Sequence, residues 1–261
     1  MLRRILPPPA LAVAIALAAA SIACGTTAAA PAAYVALGDS YSAGVGAQRY
    51  VSSSGACLRS PQSWVHRLGR KVTRFRACAA ATTADVLALQ LDAFPSNTRL
   101  VTITIGGNDA GFASVLTTCL IGKPADCDSR VARAERFVRR DLPRRLDRVY
   151  DAIRRRAPQA TVVVAGYPRL LARRPWCGGL GTLDDREQRR LNEGSDVLAR
   201  TIAAEVRRHR GFRYADVRSD FDGHGACSSA PWIHATGSAI SAFHPNVRGY
   251  AAYGRLVKRA L

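Results

Sequence analysis

Residues 34 to 46 read YVALGDSYSAGVG. The apolar run Tyr34 to Leu37 stops at Gly38-Asp39-Ser40, and small residues follow at Ser42, Ala43, Gly44 and Gly46. A short apolar run closed by turn residues reads as a buried strand. A serine at a strand-to-helix turn sits on the rim of the sheet, with its own N–H free at the start of a helix. The small neighbours leave room for an acyl group. A hydroxyl attacks a carbonyl only when a base takes its proton and donors stabilise the resulting oxyanion. The rest of the chain must therefore supply a base and donors.

Working outward, LVTITIGGND (Leu100 to Asp109) is a strand ending in two glycines, and TVVVAGYP (Thr161 to Pro168) is another buried strand. Arg74–Cys78 and Phe212–Val217 complete the set. Between them, Val131, Ala134, Val138, Leu142, Leu146, Val149 and Ile153 step by three and four, a helical face that Pro143 breaks or kinks. Leu183 to Arg208 and Asn246 to Leu261 also read as helices, and Ser60-Pro61 as a helix start. Strands alternating with helices predict an α/β fold with a mostly parallel five-stranded sheet. Ligands then bind beyond the carboxyl ends of the strands, which puts Ser40 and Asn108 on one rim. Three stretches, around 47–60, 110–128 and 170–182, are expected to be long loops that wall the pocket.

The N-terminus carries Arg3 and Arg4, an apolar stretch from about Ala10 to Ala20, and small residues through Ala33. This is the plan of a secretory signal peptide over residues 1–33, leaving a single domain over 34–261. Cys24 would anchor a lipoprotein if cleavage fell just before it, but Ser21 stands where such signals usually carry leucine. Secretion is thus expected, with lipid anchoring through Cys24 as the alternative. Six further cysteines (57, 78, 119, 127, 177 and 227) suit three disulfides in an exported chain. They allow fifteen pairings, of which the sequential one is simplest. No CxxC pair suggests a metal site, and neither metal nor organic cofactor is expected. The net charge of +19 is almost all arginine. The arginines spread over helices without alternating aromatics, which argues against nucleic acid and reads first as a compositional bias that leaves a solvated face, with association to anionic envelope or lipid surfaces as the alternative.

Of five histidines, His66 and His209 fall in arginine-bearing helical segments and are expected to face solvent. His244, in SAFHPNVRGY, stands on a loop before the last helix, where its ring can swing over the sheet rim. Trp64 is read as core, and Trp232 as bordering the site. Asp39 and Asp109, at strand ends, are read as caps. Taken together, GDSYS near the start, GGND after a middle strand and a late HPN resemble the SGNH hydrolases, the GDSL esterase/lipase family. YPRL at 167 to 170 and the six cysteines resemble its secreted actinobacterial, three-disulfide branch. The resemblance runs from about Tyr34 to the end. It implies a three-layer α/β/α, flavodoxin-like fold and a monomeric enzyme acting on an ester or lipid substrate. It further implies Ser40 as nucleophile, His244 as base, and an oxyanion hole of the Ser40 N–H, the Ala80 N–H and the Asn108 amide. By the same resemblance the disulfides are Cys57–Cys78, Cys119–Cys127 and Cys177–Cys227.

Two positions depart from the family pattern. Ala80 stands where a glycine is usual; it keeps the N–H, which serves without strain if its φ is negative, as expected here, whereas a φ above zero would strain it. Ser241 stands where many members carry the aspartate that orients the histidine. The Ser241 backbone carbonyl is the expected substitute, with Asp220 or Asp222 as the alternative and no role assigned to His224 beyond loop structure. The same machinery would serve an envelope carbohydrate deacetylase or a transacylase. A noncatalytic cationic surface binder is the reading furthest from it.

Overall fold

The run that opens the domain forms β1 (Ala33–Gly38), buried at every position. The computed structural model describes residues 31–92, 94–173, 183–235 and 240–261, and Pro31–Leu261 form one compact unit. The expectations for the leader, Cys24 and Cys177 lie outside the described residues. After β1 come α1 (Ser40–Ala43), β2 (Arg74–Phe75), α2 (Thr83–Leu89), β3 (Thr98–Thr104) and α3 (Phe112–Ile121). Then follow α4 (Pro124–Arg140), α5 (Leu142–Arg156), β4 (Thr161–Ala165), α6 (Asp185–Val206), β5 (Phe212–Ala215), α7 (Arg218–Phe221) and α8 (Val247–Arg259).

All four strand pairings are parallel, in the order β2-β1-β3-β4-β5. The order reverses between β1 and β3, and in open parallel sheets the crevice beyond such a reversal is where ligands bind. The valine-rich strands Val101–Ile103 and Val162–Val164 are buried on both faces, as a sheet covered by helices on each side requires. α5 packs with α2, α4 and α6, whereas α8 packs with the 3-10 turn Trp64–Arg67 and with α7. These two groups are the outer layers of the α/β/α sandwich. The α4–α5 break falls at Asp141, with Pro143 in the first turn of α5, where its missing N–H costs nothing.

Two segments differ from their sequence reading. Ser60-Pro61 starts no α-helix: the Ser60 hydroxyl closes a turn, accepting from the Gln62 N–H and donating to the Gln48 carbonyl. The helical part is only Trp64–Arg67, capped by Ser63, because the fully buried Trp64 ring is tied to the Tyr41 carbonyl. The expected loop over 110–128 is mostly helix, α3 followed by the start of α4. α3 is entered through Gly111 in the left-handed region, φ 75°, without a side-chain cap, so the usual start signal is missing. Cys57–Cys78 and Cys119–Cys127 are bridged as expected. Cys227 is also disulfide-bonded. Among the described residues no helix is long and apolar enough to cross a membrane.

Candidate active site

Ser40 is the first residue of α1, immediately after the end of β1. Asp39 caps that helix, its carboxylate accepting from the Tyr41 N–H at 3.0 Å and the Thr104 hydroxyl at 2.7 Å. The Tyr167 hydroxyl donates to the other Asp39 oxygen and accepts the Gly107 N–H at 3.3 Å. One buried chain of hydrogen bonds therefore ties the Ser40 turn to the loop that carries Asn108. Burial pushes the Asp39 carboxyl up to about 6 despite these three donors, whose bonds pull the other way. Asp39 is a cap, as expected, and also the hub of the site's scaffold.

The His244 Nε2 lies 2.8 Å from Ser40 Oγ, and its Nδ1 lies 3.0 Å from the Ala242 carbonyl. A carbonyl only accepts, so Nδ1 carries the proton and Nε2 is left as the base facing the hydroxyl. Burial pushes the imidazole down to about 4, with the Ala242 bond opposing and nearby His234 adding to the shift. The ring's acceptor corrects the expectation for Ser241. The Ser241 carbonyl instead accepts the His244 main-chain N–H at 3.1 Å, which closes a tight turn and leaves the next carbonyl to meet the ring. Asp222 is held by Arg169 and Asp220 by Arg259.

The histidine loop is fixed from three sides. The Tyr41 hydroxyl donates to the Phe243 carbonyl at 2.6 Å. His234 pairs its main chain with Phe243 and His244, and its Nε2 donates to the Gly46 carbonyl at 2.9 Å. Gly46 has φ +92°, and a methyl there would meet the Pro245 carbonyl at 2.7 Å. A methyl on Gly44 would meet the Ser63 Cβ at 2.8 Å. These glycines thus admit close packing of neighbouring loops. His234 and Tyr167 were not assigned roles from sequence. Tyr167 lay within the quoted YPRL, and His234 lies ten residues before His244.

The Asn108 Nδ2 donates one hydrogen to the Ala81 carbonyl at 3.0 Å, which fixes the amide with nitrogen toward the site and leaves its second hydrogen. Ala79 and Ala81 donate their N–H groups to the carbonyls of Cys57 and Cys78, whereas the Ala80 N–H has no acceptor among the described residues. Nor does the Ser40 N–H. Ala80 has φ +62°, correcting the negative value expected. The turn after β2 is tied down by the Cys57–Cys78 bridge and by the Ala79 and Ala81 N–H bonds on either side of Ala80. Ser40, Ala80, Asn108 and His244 all line one cavity of about 430 Å³, walled by Leu58, Leu120 and Phe243. A narrow apolar crevice under Phe112 and Leu170 adjoins it.

Other expectations resolve away from the site. Trp232 stacks on His224, ring centroids 3.8 Å apart, beneath the histidine loop. Asp109 accepts from Thr83 and Arg145 as a structural cap. His66 is exposed. His209 is not: its imidazole is 10% exposed, between Asp147, Asp151 and Glu205 and against Tyr150. Asp147, Glu205 and His209 hold ligand atoms within 4.8 Å of one another. They lie beside the start of the edge strand β5, whereas Ser40 follows the end of the internal strand β1, and the imidazole set among carboxylates accounts for the grouping.

A hydroxyl facing a neutral imidazole, with three N–H donors along the same wall, is the constellation of an acyl-transfer hydrolase. The profile of the GDSL-like lipase/acylhydrolase family matches residues 36–252. Lipase 1 of Streptomyces coelicolor is 45% identical over 222 residues, 83% of this chain and 81% of that protein. The lipase of Streptomyces rimosus is 45% identical over 221 residues, with the same coverage. Among solved structures, the extracellular lipase of S. rimosus superposes with a TM-score of 0.82 at 43% identity, covering 87% of this chain and 99% of that one. Phospholipase A1 of Streptomyces albidoflavus superposes with a TM-score of 0.83 at 40% identity, covering 89% and 100%. The chain belongs to the GDSL-like lipase/acylhydrolase family and is an ester-hydrolysing enzyme.

Proposed function

We propose that the chain is a secreted lipase that cleaves carboxylic esters through an acyl-enzyme on Ser40. The 2.8 Å contact between Ser40 Oγ and His244 Nε2 carries this reading. Nε2 takes the hydroxyl proton as Oγ bonds to the ester carbonyl carbon. The carbonyl oxygen becomes an oxyanion, held by the Ser40 N–H, the Ala80 N–H and the free hydrogen of Asn108. Collapse expels the alcohol, which leaves with the proton from Nε2. Water, deprotonated by the same nitrogen, then releases the acid. The Ala242 carbonyl holds the imidazolium that forms in each half, a task a carboxylate performs in three-residue triads.

The depressed basicity of His244 keeps the base neutral well below pH 7. Apolar walls, rather than charged ones, favour an acyl chain over a sugar ring. Lipid as substrate and secretion as location agree with relatives named as a lipase, an extracellular lipase and a phospholipase A1. The net charge of +19 suits work on anionic lipid surfaces. Hydrolysis of p-nitrophenyl esters of graded chain length tests the assignment. Ser40→Ala and His244→Ala are expected to abolish turnover. Asn108→Ala is expected to lower kcat by about 10²–10³ with little change in KM, the loss typical of one oxyanion donor. Full activity of any of the three variants contradicts the assignment.

A further inference from the structure

α3 is ten residues long, FASVLTTCLI, and carries no charge in a chain where 22% of residues are charged. Ala113, Thr117 and Ile121, stepping by four, are exposed along one face. Ile121 is 82% exposed. Its neighbour Leu120 lines the cavity that holds Ser40 and His244, and so does Ile240, itself 53% exposed. Single exposed apolar side chains are ordinary. Here Ala113, Thr117, Leu120 and Ile240 line one cavity, and Ile121 continues the exposed face of the uncharged helix one turn beyond Thr117. Lys123, exposed, stands two residues beyond Ile121, on a molecule of net charge +19.

We infer that this rim is the face by which the enzyme seats on an anionic phospholipid surface, Ile121 and Ile240 entering the interfacial zone while Lys123 meets headgroup phosphates. Binding of this kind grows with buried apolar area plus attraction to anionic lipid. The inference rests on the ester-hydrolysing reading of Ser40, since the same seating turns the cavity mouth toward the lipid. The charge of the molecule would draw it to the surface in any orientation, and the apolar part of the rim selects one. The far edge of the sheet, where Arg207 and Arg210 are exposed, mixes those cations with the partly exposed carboxylates of Asp147 and Asp151.

The full chain carrying Ser40→Ala, which leaves lipid intact, is titrated with vesicles of phosphatidylglycerol and phosphatidylcholine. Adding Ile121→Glu with Lys123→Glu is expected to weaken binding by at least about tenfold, since both an apolar insertion and a cation are lost. Adding Arg207→Glu with Arg210→Glu instead is expected to weaken it by no more than about threefold, through long-range charge. In the active protein the rim pair is expected to leave hydrolysis of soluble p-nitrophenyl acetate unchanged and to slow hydrolysis of vesicle lipid in step with binding. Unchanged vesicle binding by the rim variant overturns the inference, as does an equal loss from the arginine pair. Self-association through the rim in the absence of lipid would also overturn it. If the unmodified enzyme hydrolyses neither ester, the catalytic reading fails by itself, and the vesicle titration still judges the docking face.

Discussion

Tyr167 shows how much one hydroxyl can hold. It donates a hydrogen bond to buried Asp39 and accepts one from the Gly107 N–H, so it joins the nucleophile turn to the Asn108 loop. Tyr167→Phe leaves a buried carboxylate oxygen and a buried N–H without that partner. We expect a loss of about 1–3 kcal/mol in urea unfolding, the usual cost of an unpaired buried group. An unchanged midpoint would mean the bond contributes nothing. Ala80 is the opposite case. The left-handed region costs an L-residue about 1–2 kcal/mol, and glycine returns about 0.4–1 of that through its freer unfolded chain. Ala80→Gly is therefore expected to gain up to about 1.6 kcal/mol, with activity retained. A loss of stability would show that φ +62° is not strained here.

At the scale of elements, β1, β3 and β4 were legible because continuous apolar runs closed by glycine or proline leave few other readings. The serine, the asparagine and the late histidine were legible from the turns that follow such runs. α3 was not, since its start lacks a side-chain cap and an uncharged segment offers no contrast between faces. Nor was the carbonyl that orients His244: Ser241 and Ala242 differ only in which one closes the turn, and backbone direction is invisible in residue identity. The φ of Ala80 was missed for a related reason, since the tight turn beside the Cys57–Cys78 bridge is a matter of backbone path rather than of residue type. That bridge spans 21 residues and adjoins an oxyanion donor. Cys57→Ser with Cys78→Ser is expected to cost about 2–5 kcal/mol, as removal of native disulfides typically does. It should also lower kcat more than it raises KM. Thermal melting and ester kinetics check both, and an equally stable, equally active double variant would contradict the role given to the bridge.

For the whole molecule, the chain's reversal of strand order between β1 and β3 brings Ser40 and Asn108 to one crevice, and α8 closes the third side through the HPN turn. Two buried groups there bend the response to pH in opposite senses. Asp39 holds its proton up to about 6 when folded, against 3.8 ordinarily, so its contribution to stability is lost as pH rises between those values. His244 titrates near 4 when folded, against 6.5 ordinarily, so stability is lost as pH falls through that range. The two largely offset, and Tm is expected to vary little between about pH 4.5 and 6 on their account, as calorimetry would record. Activity follows His244 alone. At pH 5 kcat/KM on a soluble ester should remain above half its plateau, and an acid limb centred near 6.5 would mean the ring is not buried as described.

The sharpest trial is the pH dependence of modification by a fluorophosphonate, read by intact mass and peptide mapping. A single adduct on Ser40 is expected, forming with an acid midpoint near 4 and suppressed when His244→Ala is introduced. An adduct on another residue, or labelling of Ser40 that ignores the loss of the imidazole, would contradict the pairing on which the catalytic reading stands.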